Sequence, residues 1–122
     1  MFPEMLPGKI YKVVCEASKE IYVGSTVKSL LDRLKEHTDD AVFMNKKNKF
    51  MAHIRCHGVQ FFRIELLEAW PCEDKGQLRK REQHWMDRLN PGLNSHRAYG
   101  RNPRKRTAAD FKYYKAWKKR QC

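Results

Sequence analysis

The period of the apolar positions changes along the chain, and each change marks an element. Lys9 to Cys15 carries Ile10, Tyr11, Val13 and Val14. Glu20 to Gly24 is a second apolar run, and the short polar link Glu16 to Lys19 joins the two as a β-hairpin. Gly24-Ser25-Thr26 breaks the strand. Ser29 is placed to cap a helix running to about Thr38, with Leu30, Leu31 and Leu34 as its buried side and Arg33 and His37 flanking that stripe together. A second helix is expected over about Asn45 to Cys56, stopped by Gly58 as a left-handed cap. Val59 to Ala69, with Phe61, Phe62, Ile64, Leu66 and Leu67, reads as a strand covered on at least one face. A third helix spans Gln77 to Leu89 and ends before the Asn90-Pro91-Gly92 turn. Thr107 is placed to cap a last helix over 108–119, which Pro103 separates from what precedes it. Strand, strand, helix, helix, strand, helix predicts an α/β fold: a small three-stranded antiparallel sheet flanked by helices, with a C-terminal basic helix.

One position violates this pattern. On the third helix Leu78, Glu82, Trp85 and Leu89 fall at i, i+4, i+7 and i+11, a stripe that is otherwise apolar. An ionised carboxylate left unpaired there costs several kcal/mol, so Glu82 must be protonated, matched by a cation or placed on the floor of a polar cleft. The plainer alternative is a stripe-edge residue reaching solvent or pairing with Arg79 or Arg81.

Charge narrows the class of partner. The chain of 122 residues carries a formal +12, of which the last 26 residues supply +9: ten basic side chains against Asp110 alone. Arg101, Arg104, Lys105, Arg106, Lys112, Lys115, Lys118 and Lys119 are interleaved there with Phe111, Tyr113, Tyr114 and Trp117. Dense cations among aromatics suit phosphate neutralisation with base stacking, and these eight are the candidate nucleic-acid contacts. The length allows one core plus a tail. No membrane span or secretory signal is expected, because no long apolar run exists and Met1-Phe2-Pro3-Glu4 lacks a basic segment followed by an apolar one. Cys15, Cys56, Cys72 and Cys122 are scattered without a Cys-x-x-Cys pair, which suggests an intracellular chain with reduced thiols. His53, Cys56, His57 and Cys72 could each bind zinc, but Cys56 is rotated away from the two histidines on the helix and Cys72 lies across a strand. Their spacing matches no closed zinc unit.

Lys9-Ile10-Tyr11, then Tyr22-Val23-Gly24, Arg33-x-x-x-His37, Glu82, and Asn94 after a proline turn resemble the GIY-YIG nuclease domain in order and approximate spacing. The resemblance covers about residues 8–96 and leaves 97–122 as a basic, aromatic-containing tail. Lys9 stands where that family's first glycine would be, with Gly8 before it, and Val23 replaces isoleucine.

The resemblance implies a metal-dependent endonuclease that hydrolyses DNA phosphodiesters, one strand per active site, with the tail on the backbone. The alternative is an inactive nucleic-acid-binding module on the same scaffold. Glu82 would hold a single Mg²⁺ or Mn²⁺, since hard cations take oxygen ligands and keep several waters. Arg33 suits a planar clamp on phosphate, and His37 lies one turn on. By resemblance Tyr11 is the general base, Tyr22 lies beside the scissile phosphate, and Asn94 supports the site through a neighbouring side chain. A phenol of pKa near 10 needs a neighbour to make it a base, and His37, Lys12 or metal-bound water each qualify.

Overall fold

The computed structural model describes residues 5–100. Three strands, β1 (Lys9–Cys15), β2 (Ile21–Thr26) and β3 (Phe62–Ala69), form one antiparallel sheet in the order β2-β1-β3. Three helices accompany it: α1 (Leu30–Val42), α2 (Lys49–His57) and α3 (Lys75–Leu89). The expected element order and sheet are therefore present. The helix expected over 108–119 and the eight basic candidates from Arg101 to Lys119 lie outside the described residues.

The central strand divides the core. Its alternation sends Tyr11, Val13 and Cys15 into one cluster with Ala41, Phe50, Ile54 and Phe62, and Ile10 into another with Val23, Leu78 and Met86. Helices α1 and α2 close the first cluster and α3 closes the second. Leu6 pairs with Cys72 in an isolated bridge beside the start of β1, and Cys15 and Cys72 are buried free thiols.

Boundaries moved for identifiable reasons. Ser29 caps α1 as expected, accepting from Asp32 N at 3.2 Å, but the helix continues to Val42. Its inner stripe is Leu30, Leu34, His37 and Ala41, so His37 lies on the stripe rather than beside it, and Leu31 is 78% exposed instead of buried. Helix α2 starts at Lys49, capped by Asn48, because Asn45 has a φ of 50° that no helix interior accepts. Gly58 does carry a positive φ of 96°, but its ψ of 145° is extended; the chain leaves α2 into a 3₁₀ turn, Val59–Phe61, and β3 starts only at Phe62. Helix α3 starts two residues earlier than expected, where Asp74 accepts from Gln77 N at 2.9 Å. Asn90, left-handed at φ 49°, caps its end.

Two glycines permit close approaches at the sheet, one before β1 and one within β2. Any Cβ at Gly8 would collide with the Trp70 carbonyl and Leu78, so the close approach belongs to Gly8. Lys9 escapes it and sends its ammonium to Pro7 O at 3.1 Å. Gly24 faces Tyr11 across the β1–β2 ladder, and a Cβ there would fall inside contact with the Tyr11 Oη and Cζ atoms. We expect Gly24→Ala to cost about 1–3 kcal/mol through overpacking. Gly92→Ala, whose Cβ would sit 3.7 Å from Glu20, serves as the near-neutral control. Urea unfolding of the two variants checks this; equal midpoints would contradict it.

Candidate active site

Strand β1 delivers Tyr11 into the core, where it is fully buried and its hydroxyl lies 2.7 Å from His37 Nε2 on α1. Gly24 leaves the space for the phenol, and the α1 stripe brings the imidazole to it. Tyr22, on the neighbouring strand, stacks on Phe50 of α2 with ring centroids 4.1 Å apart and planes 6° from parallel. The His37 ring meets both Tyr22 and Phe50 edge-on. Four rings from four elements therefore form one aromatic wall.

Glu82 lies inward, as its stripe position requires. Ser25 Oγ donates to its Oε1, and Glu82 lines two clefts. One, of about 330 Å³, has Ser25, Thr26, Lys28, Arg33, Lys75 and Arg79 around it. The other, of about 310 Å³, is shared with Tyr22, Lys47, Asn94, His96 and Arg97. The carboxylate thus occupies the ground between two basic-walled hollows. Neither arginine suggested as its surface partner holds it by a salt bridge: Arg81 pairs with Glu68 and lies over the Trp70 ring, and Arg79 borders the first cleft. Asp87 faces away, bonded by Gln83 Nε2 at 2.8 Å.

Burial sets the charge states here. Desolvation raises the Glu82 carboxyl above the usual range, against the Ser25 hydrogen bond and the Arg33 and Arg79 charges. Desolvation and then Glu82 push Tyr22 up to about 12, while burial and then Tyr22 raise Tyr11 further. Burial and the Arg33 charge lower His37 to about 3, so its ring is neutral at physiological pH. Arg33 favours ionisation of both phenols and pairs with Glu36 at 3.2 Å.

Asn94 reaches a partner other than the one expected. Its amide brackets the main chain of Val23, accepting from Val23 N at 2.9 Å and donating to Val23 O at 2.8 Å. Strand β2 is a sheet edge, so these groups lack a ladder partner, and Asn94 supplies one next to Tyr22. Lys12 points to the opposite face from Tyr11 and pairs with Glu65 at 3.5 Å. The fold thus gathers Tyr11, Tyr22, Arg33, His37, Glu82 and Asn94 around one end of the sheet.

Sequence reasoning missed several neighbours. Ser25 reads in the sequence only as part of a strand break and Phe50 only as helix, and the space that Gly24 leaves for the Tyr11 phenol is not visible in its motif. Lys75 and Arg79 precede Glu82 by seven and three residues on α3, a helical spacing that marks one face. Gln83, buried, accepts from Ala98 N at 2.8 Å and Tyr99 N at 3.3 Å and docks the segment after the domain onto α3.

A family model described as the GIY-YIG catalytic domain matches residues 7–97. Two solved structures of the catalytic domain of the intron-encoded homing endonuclease I-TevI, one of them a mutant, are similar to this chain. The mutant shares 26% identity at a TM-score of 0.66, covering 76% of this chain and 97% of that one. The other shares 26% identity at a TM-score of 0.62, covering 73% of this chain and 98% of that one. No curated protein sequence matches. The match spans the sheet, all three helices and every gathered site residue, and the chain belongs to the GIY-YIG catalytic domain family of nucleases.

Proposed function

We propose that this nuclease is a metal-dependent endonuclease hydrolysing DNA phosphodiesters, one strand per active site, with its basic C-terminal segment on the nucleic-acid backbone. The observation that carries this reading is the desolvated Glu82 carboxylate between two clefts walled by Lys28, Arg33, Lys75 and Arg79 on one side and Lys47 and Arg97 on the other. A polyanion satisfies those walls, and a cation satisfies the carboxylate.

Glu82 suits a single hard cation. Its donors are oxygen, and among the described residues no second acid lines either cleft beside it, which leaves positions for water and phosphate as Mg²⁺ or Mn²⁺ prefers. When bound, such an ion supplies Lewis-acid stabilisation of charge on the phosphorane and leaving oxygen.

The side chains divide the remaining work. Burial makes Tyr11 by itself a poor base, but the neutral imidazole 2.7 Å away is a ready acceptor. As Tyr11 takes a proton from the attacking water, its own proton passes to His37 Nε2, and no phenolate accumulates. Lys12, turned away, has no part in this. Tyr22 keeps its proton and donates to a phosphate oxygen, held at its angle by Phe50. Arg33 binds the phosphate charge as it grows, and Asn94 keeps the edge of β2 in register.

Supercoiled plasmid in Mg²⁺ or Mn²⁺ should pass to open circles before linear DNA appears, and chelation should stop the reaction. Glu82→Gln should lower the nicking rate at least about a hundredfold, roughly 2.7 kcal/mol. Without metal, the same variant should unfold no earlier than the wild type, since a neutral amide replaces a desolvated carboxylate. Nicking unaffected by the substitution would remove Glu82 from the reaction.

His37 predicts a pH dependence. Its folded pKa lies below the ordinary 6.5, so it contributes stability above about pH 6.5 that is lost as pH falls toward about 3. In chelator, wild-type stability should therefore fall more steeply through that window than His37→Asn, by up to about 1.4 kcal/mol per pH unit. Parallel curves would show that the imidazole is not held neutral. Truncation after Gly100, which spares the Gln83 contacts, should weaken duplex binding and flatten its dependence on salt. An unchanged salt slope would deny the basic segment its role.

A further inference from the structure

Away from the catalytic wall, the far end of β1 assembles a second group of ligand-competent side chains. Cys15 lies four residues after Tyr11 on the same face of the strand, about 14 Å along it. His53 and His57 stand one turn apart on α2, with ring centroids 4.3 Å apart. The Cys15 thiol and one nitrogen of each imidazole all lie within 4.8 Å of one another. Cys72 belongs to the cluster on the other side of the sheet, with Ile10 and Leu78. The cysteine that the sheet brings to the histidines is Cys15, thirty-eight residues before His53 in the chain.

We propose that Cys15, His53 and His57 form a zinc site that staples the end of the hairpin to α2. One thiolate and two imidazoles are the donor set that tetrahedral Zn²⁺ takes, and two histidines at i and i+4 on a helix present their rings to one ion. Ligand atoms in such a site lie about 3.5 Å apart, so the three need to draw together by roughly 1 Å. Surroundings of the required kind are present. Ser18 Oγ lies 2.7 Å from His53 Nε2 and also accepts from Glu20 N at 3.3 Å. Glu20 Oε2, 3.9 Å from His53 Nδ1, is buried with no hydrogen-bond partner among the described residues. A buried carboxylate oxygen without a donor is costly, and an ion beside it relieves the cost. Glu20 then serves as fourth ligand or orients a ligating imidazole, with water in the fourth place. His57, half-buried where Cys15 and His53 are covered, provides the way in.

The ion would act at a distance from the chemistry. Helix α2 also carries Phe50, the platform under Tyr22, so joining α2 to the β1–β2 turn holds that platform in place. Mg²⁺ at Glu82 and Zn²⁺ here are separable, since one site offers oxygen and the other sulfur and nitrogen.

Titration of the chelator-stripped full chain with Co²⁺ tests the assignment. Wild type should bind one equivalent tightly enough to survive excess Mg²⁺, with thiolate charge-transfer absorption and the strong visible bands of a tetrahedral ion, both abolished by Zn²⁺. Cys15→Ser should lose the charge-transfer band, whereas Cys72→Ser should keep it. His57→Gln, at a half-buried position that folding tolerates, should weaken Co²⁺ binding at least about tenfold, and Ser18→Ala about 10- to 100-fold. Zn²⁺ should raise the unfolding midpoint of the wild type and leave that of His57→Gln unmoved. Wild type without the charge-transfer band, or a band that persists in folded Cys15→Ser, would overturn the proposal.

Discussion

The hydrogen bond between Tyr11 and His37 is the constraint on which the rest of the structure depends. It joins the central strand to α1 between two side chains that are both buried from bulk solvent, so each is the other's ready partner. Three features make it possible. Gly24 contributes no side chain opposite Tyr11, the α1 stripe places a histidine where a leucine would ordinarily pack, and burial keeps that histidine neutral. A protonated imidazole in the same position would have two N–H donors and no lone pair for the phenol.

The site is assembled at the expense of local stability. Burial raises the Glu82 carboxyl, raises both phenols and lowers the imidazole, each away from its favoured charge in water. Such shifts are what a desolvated reaction site requires, because preorganised charges act more strongly where water is excluded. The surrounding fold compensates with ordinary devices: a capped α1, a capped α3, and the Asn94 amide that completes the open edge of β2. Basic side chains bound both clefts on either side of the desolvated carboxylate, and Ser25 with the Arg33 and Arg79 charges offsets part of its cost.

Helix α2 holds no group of the reacting set, yet it underlies it. Phe50 sets the plane of Tyr22 and meets His37 edge-on, and the next turn of the same helix carries His53 against the hairpin end. A short helix of nine residues has little intrinsic stability, and its placement relies on packing at both ends. The distance from Cys15 to Tyr11 along one strand face means that whatever holds the hairpin end also holds the phenol.

Much of this was legible in the residues. Alternating apolar positions marked β1, a 3.6-residue period marked α3, and Glu82 announced itself as a carboxylate on a stripe of Leu78, Trp85 and Leu89; these are local patterns, and local sequence determines them. Helix ends were less legible: Asn45 and Leu31 each fit a helix or an inner face by type, but the left-handed φ of Asn45 and the outward position of Leu31 on α1 are set only in the fold. Long-range pairings were invisible. No spacing tells that Asn94 meets the main chain of Val23, that Ser25 serves Glu82, or that Cys15 rather than Cys72 joins His53 and His57, because each depends on the register of strands and the crossing of helices. The sequence by itself determined which segments form strands and helices and which residues are chemically able to react. The tertiary structure decided which of them meet and in what charge state, since both proximity and desolvation are properties of the folded whole.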